Sequence, residues 1–318
     1  MKTQVGSRSR TGLTKRVALL ATPLVFQNIS HTLLGIADTY FVSRVSTDAL
    51  AAVGLAAVLF FAVLMLFRGT ANSSVVFVGR AHGAKDDAKI GVAVWHVLNM
   101  VGLLTLVGLA LPFLFGWLFS YAAPSNNPSV QDLGTSYLQI RAFEIPFVMF
   151  SAVVWGFLVG RGDSRTPMIL AWITVLLNIV LDWILVLGNL GLPAYGVVGA
   201  AYATLVANMI NAGLSAAILW RPISRRRYKT GQVKLANWSD LKQVIRIGLP
   251  MGLGDTLEIA AFSVFFAIMG RISTEALAAN QIALQYLSLS FTVGIAFGMA
   301  TSSLVAQQLG ASRPDLAE

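Results

Sequence analysis

The chain has 318 residues, 56% of them hydrophobic and 12% charged, and a mean hydropathy of +0.71. Soluble domains carry roughly 25% charged residues, so an ordinary water-soluble fold is excluded and a helical protein with several bilayer spans is expected. The absence of cysteine removes disulfides, thiolate metal sites and cysteine nucleophiles. The net charge of +9 concentrates between Arg221 and Arg246, in a loop between apolar segments, and reads as a topology signal rather than a nucleic-acid surface.

Apolar segments of bilayer-spanning length fall at about 17–42, 49–79, 91–119, 136–160, 167–188, 196–220, 246–270 and 277–309, each read as a helix. Arg8, Arg10, Lys15 and Arg16 precede the first, but no small-residue cleavage site follows it, so it is a retained helix and not a signal peptide. Along that helix Asn28, His31, Gly35 and Asp38 recur at i, i+3, i+7 and i+10 and draw one polar stripe. Pro23 is expected to kink it, and Pro250 stands at the matching place in the seventh span. Arg68 lies within the second span, where facing the bundle interior, snorkelling and pairing with other polar groups all stay open. In the fourth span Arg141 and Glu144 read as a local i, i+3 pair near its outer end. Gly156 with Gly160, and Gly294 with Gly298 in the eighth span, have the spacing of close helix approach.

Thr174, Asn178 and Asp182 recur at i, i+4 and i+8 on the fifth span, and Thr204, Asn208 and Asn211 at i, i+4 and i+7 on the sixth. A carboxylate at the centre of a membrane helix costs about 2.5–3.5 kcal/mol on insertion scales, so Asp38 and Asp182 require an explanation. Burying the three polar faces against one another builds a cavity lined with oxygen ligands, suited to Na+ or to a proton shared between crowded carboxylates. The competing reading is that both aspartates only bond neighbouring helices and hold the packing. His31 is likewise either an interior histidine with satisfied bonds or a proton relay. Asp255 and Glu258, on the seventh span, form a possible second acidic site. The three histidines, His31, His82 and His96, show no metal-ligand spacing. No Walker lysine accompanies the glycines of "GLPMGLGD", so transport would draw on an ion gradient.

With the N-terminus placed inside, nineteen Lys and Arg residues fall on the cytoplasmic side against Arg44, Arg141 and Arg271 on the other, which favours an even number of crossings. The chain also repeats itself. "FVSRVSTDALAAVGLA" at 41–56 aligns with "AIMGRISTEALAANQIA" at 267–283, and the same offset of 227 places Pro23 on Pro250 and Gly83-Ala84 on Gly310-Ala311. Six helices separate the copies, so they enter the membrane in the same direction, as parallel repeats. The expected organisation is a cytoplasmic N-terminus at 1–16, a six-helix N-lobe at 17–221, a basic cytoplasmic loop at 222–245 and two C-lobe helices at 246–318. Completing the second copy would take about four further helices, so a C-terminally truncated chain of a twelve-helix protein is expected.

These stretches, with "ATPLVFQNISHTLLGIADTYFVS", "GRAHGAKDD", "QQLGASRPD", "GRGDSRTPM" and "LLNIVLDWILV" followed by "GVVGAAYAT", resemble the multidrug and toxic compound extrusion (MATE) family, in its DNA-damage-inducible protein F-like branch. The resemblance spans about 13–318. It implies an all-α polytopic membrane protein of two parallel six-helix lobes, exporting drugs or amphipathic, cationic organic compounds against Na+ or H+. By the same resemblance the N-lobe cation site falls on Asp38, Asn178, Asp182 and Thr204. Asn28, His31, Thr174 and Asn208 would line the cavity or relay protons, and Asp255 and Glu258 would form an acidic C-lobe site. No cofactor is implied beyond the coupling ion, and no enzymatic activity. The expected surroundings are the inner cell membrane and a small organic substrate, without nucleic acid, for a monomer if the chain is complete. As a truncated chain alone it is expected to be inactive, and the alternatives are a lipid-linked oligosaccharide flippase of the same superfamily, against which Asp38 and Asp182 argue, an intramembrane enzyme, and a non-transporting membrane fragment.

Overall fold

The computed structural model describes the backbone of residues 2–108, 110–122, 127–272 and 274–317, and the side chains of 12–108, 110–119, 127–262, 264–265 and 291–317. Helices make up almost all of it. The first four are α1 (Lys2–Ser43), α2 (Thr47–Asn72), α3 (Ser74–Gly83) and α4 (Asp87–Gly108). Next come α5 (Leu111–Ala122), α6 (Pro128–Ala142), α7 (Ile145–Gly160) and α8 (Arg165–Leu185). The last four are α9 (Gly196–Leu219), the short α10 (Pro222–Tyr228), α11 (Trp238–Ile272) and α12 (Thr274–Gly310), before a 3-10 turn at Pro314–Leu316. Among the described residues five helical stretches are long and apolar enough to cross a membrane, and α6 with α7 makes a sixth as one span bent by 44°. The expected spans at 246–270 and 277–309 fall on α11 and α12, whose side chains lie partly outside the described residues.

Local chemistry sets the ends of these helices. Ser46 starts α2 by accepting a bond from the Ala49 amide at 3.0 Å, a side-chain cap for one of the free N–H groups. Asn127 does the same for α6 through the Val130 amide. The expected span 136–160 is therefore longer than its apolar stretch, beginning at Pro128 and breaking between Ala142 and Ile145. Pro146 enforces the break, because it lacks an amide hydrogen and its ring collides with a continuing helix. The bonds there tighten to i, i+3: Phe143 N to Ile140 O at 3.1 Å and Glu144 N to Arg141 O at 3.0 Å. Pro23 does not interrupt α1, which runs through it as one helix.

The main core is built from α2, α4, α5, α6, α7 and α9, around the fully buried Phe60, Phe115, Phe119, Met149 and Phe157. A second cluster joins α1 to α12, with Leu20, Ala21 and Leu24 against Ala296, Ala300 and Leu304. Gly156 and Gly160 press α7 onto the backbone and side chains of α3, as their spacing suggests. Gly294 and Gly298 instead face open space among the described residues.

The repeated loops share one geometry. Ala84, Lys85 and Asp86 donate their amides to Arg80, His82 and Ala81, and Ala311, Ser312 and Arg313 donate to Gln307, Leu309 and Gln308, the same pattern 227 residues on. Lys85 and Ser312 both take the left-handed conformation, at φ 56° and 57°. The helices before these loops cross reciprocally: Gly83 lies against the Gln307 backbone and Gly310 against the Arg80 backbone. The other stretch of the repeat, 267–283, lies outside the residues whose side chains are described.

Candidate cation-binding site

The polar faces of α1, α8 and α9 meet inside the bundle. Asn178 occupies the centre. With its amide nitrogen turned to the carboxylates it donates to Asp38 Oδ1 at 2.9 Å and Asp182 Oδ2 at 3.1 Å. The opposite amide orientation would set its oxygen against two acceptors, so chemistry selects this one. Its oxygen then lies 3.2 Å from the Thr204 hydroxyl, which also reaches the Ala200 carbonyl at 3.0 Å; one hydroxyl proton serves one of the two at a time. Asp38 and Asp182 are themselves within hydrogen-bonding reach of each other, an arrangement in which two carboxylates bond only through a shared proton. Asn178 and Asp182 are fully buried and Thr204 is 3% exposed, whereas Asp38 is partly open. Asp182 Oδ1 has no hydrogen-bond partner. The set offers carboxylate, amide and hydroxyl oxygens, the donors a hard monovalent cation takes. Among the described residues no cluster of three His, Asp or Glu stands ready for a divalent metal.

A second polar cluster lies beside the first. Arg141 and Glu144, the i, i+3 pair foreseen in the fourth span, form an ion pair at 3.0 Å and are 5% and 1% exposed. Asn208 donates to the other Glu144 oxygen at 3.3 Å, so this candidate cavity residue serves Glu144 and not the aspartates. The guanidinium also lies over the Phe60 ring, 4.6 Å from its centroid, and its charge acts on both Asp38 and Asp182. The local pair expected from the spacing is present, and what the spacing did not indicate is its burial beside the aspartates. The available signal was Pro146, which breaks the span next to the two charges.

The remaining candidates scatter. Thr174 is buried one turn from Asn178 and bonds back to the Leu170 carbonyl at 2.8 Å. Asn28 reaches across to the Thr292 carbonyl of α12 at 3.4 Å, and His31 is exposed, with the charge of Arg68 acting on it. The α1 stripe thus divides between α8 and α12, since α1 packs against both. Asp255 and Glu258 are exposed on α11, with Asp255 interacting with Arg68 of α2. Arg68 therefore points toward the α11 side, one of the options its sequence position left open.

Long apolar helices closed around a buried carboxylate centre define an all-α, multi-pass membrane protein. The MatE family model matches residues 23–184 and again 250–318, its two matches starting at Pro23 and its repeat counterpart Pro250. The chain belongs to the MatE family. It is 27% identical over 296 residues to a probable multidrug resistance protein NorM of Thermotoga maritima, covering 93% of this chain and 63% of that protein. A namesake from Aromatoleum aromaticum is 29% identical, with 92% and 62% covered, and one from Oceanobacillus iheyensis is 29% identical, with 94% and 67% covered. This chain thus spans about two thirds of the length of these relatives. In fold it is similar to an outward-facing multidrug resistance MATE family transporter of the MOP superfamily, at TM-score 0.82 and 24% identity over 96% of this chain and 67% of the other. A MOP superfamily transporter from Pyrococcus furiosus is similar to the same degree, with TM-score 0.82, 24% identity and the same coverage. These solved relatives are transporters, not enzymes.

Proposed function

We propose that the chain carries the cation-coupling half of an antiporter that exports amphipathic or cationic organic compounds against Na+ or H+. The observation that carries this reading is the meeting of Asp38 and Asp182, from different helices, around one buried asparagine. Membrane carboxylates cost too much to be retained for packing alone, and Asp182 keeps a buried oxygen unpaired where a cation would be held. Asp38, Asn178, Asp182 and Thr204 form the site, and no other cofactor takes part. Cation and substrate then favour different arrangements of two lobes, so that each displaces the other across the membrane. Residues 17–221 make the N-lobe, 222–245 a basic cytoplasmic connection that holds α10 and the first turns of α11, and 246–318 the start of the C-lobe, in a monomer in the inner cell membrane with its N-terminus cytoplasmic. The excess of basic residues in the assigned cytoplasmic segments supports that orientation.

The test is export of a fluorescent organic cation from vesicles carrying the full-length protein. Asp38→Asn and Asp182→Asn are each expected to abolish cation-driven export while the folded amount, read by size-exclusion profile, stays near wild type. Export at the wild-type rate by both variants would refute the site.

A further inference from the structure

The Arg141 cluster has a feature that a purely structural ion pair would lack. One nitrogen, Nη2, holds Glu144, but the buried Nε and Nη1 have no hydrogen-bond partner. Leaving charged donors unpaired in a sealed interior is costly, and the ring face of Phe60 satisfies them only in part. Asp182 Oδ1, an acceptor, is likewise buried and unpaired. Donors and acceptor occupy neighbouring clusters tied to the same helix: Thr204 reaches the aspartates through Asn178 and Asn208 joins Glu144, at i and i+4 on α9. Their two attachment residues on α9 are therefore one helical turn, about 5.4 Å, apart. Counting charge, one guanidinium faces three carboxylates, Glu144 in contact and Asp38 and Asp182 acting on it by charge, so Arg141 cannot neutralise them all.

We infer that Arg141 is the internal counter-cation of the Asp38/Asp182 pair. When the pair is empty, the guanidinium turns its spare donors onto these carboxylates; an arriving Na+ or proton neutralises the pair and returns Arg141 wholly to Glu144. Arg141 is then a positioning residue that competes with the coupling ion and sets the concentration at which it binds. A site bearing two bare carboxylates would hold its ion too tightly to release it, and an internal competitor lowers that affinity. The inference rests on the cation-site reading above.

The experiment is titration of the detergent-purified full-length protein with Na+ at fixed pH, and with protons in Na+-free buffer, reading the shift in thermal stability. Two double variants hold the local charge constant while removing the spare donors: Arg141→Met with Glu144→Gln, and Arg141→Leu with Glu144→Gln. Each is expected to lower the half-saturating ion concentration by about tenfold, the worth of a charge-assisted hydrogen bond. Glu144→Gln alone frees the guanidinium for the aspartates and is expected to raise it. Unchanged or raised half-saturation in the charge-neutral variants overturns the inference, and if one of them does not fold the other decides. Asp38→Asn separates the two levels: if ion-dependent stabilisation survives that change, the cation site itself is misplaced, whereas its loss with no shift at Arg141 refutes only the competitor.

Discussion

Asn178 is where the energetics of the carboxylate pair concentrate. Its amide group bonds both aspartates and faces Thr204, so replacing it by leucine leaves two carboxylate oxygens facing an apolar side chain. Removing one partner of a buried bond costs about 1–3 kcal/mol, and Asn178→Leu is expected to lower the melting temperature in detergent and to abolish cation dependence together. Thr204→Val keeps the shape but removes an oxygen. It is expected to leave the melting temperature nearly unchanged while weakening Na+ binding by about tenfold, one hydrogen-bond equivalent, as read by titration. Helical spacing put Asp38 on the polar face of α1, Asn178 and Asp182 on that of α8, and Thr204 on that of α9, while the choice of these four together came from the family resemblance. Glu144 and Arg141 were legible as a pair but not as neighbours of those faces. Their burial comes from α6, α7 and α9 closing on one another, which no periodicity within a single helix encodes.

Among the helices, the crossing of α3 and α12 stands out for the closeness of their backbones. Gly83 and Gly310 have no side chain, and a Cβ at either would collide with the partner's backbone. Valine at Gly83 or Gly310 is therefore expected to push the two helices apart. The natural absence of cysteine provides a clean readout: a single cysteine replacing Ala306, which is 3% exposed, is expected to react several-fold faster with a maleimide added from the cytoplasmic side once either valine is present. Gly294→Ala, which points into open space, should leave that rate unchanged. Close packing by small residues is a recurrent way of joining membrane helices. The GxxxG spacing identified the useful pair at Gly156 and Gly160 but also flagged Gly294 and Gly298, because spacing states that two glycines share a face without stating that a neighbour lies on it.

Across the chain as a unit, topology links the charge pattern to the proposed direction of transport. The basic loop between α9 and α11 is exposed at Arg225, Arg226 and Arg227. Trypsin is expected to cut there in inside-out vesicles and to spare it in right-side-out ones; cleavage only in the latter would invert the orientation. Arg227 is tied to Asp87 at 2.9 Å, an exposed pair worth little energy, so the loop should remain cleavable.

Composition and hydropathy were enough to establish a multi-pass helical membrane protein, since a bilayer admits few structures and demands long apolar spans. The 227-residue offset announced the internal repeat, and the loops at Gly83 and Gly310 carry it down to matching amide bonds. The chain pattern also named the two aspartates, because a carboxylate in an apolar span is conspicuous wherever it stands. Folding settled which polar residues meet. Asp38 joins α8 while Asn28, on the same stripe, bonds to α12, and Arg141 with Glu144 is buried between helices far apart in the chain. The reason is that helical periodicity is a one-dimensional rule that assigns residues to faces, whereas the identity of the neighbour on each face follows from long-range packing of helices far apart in the chain.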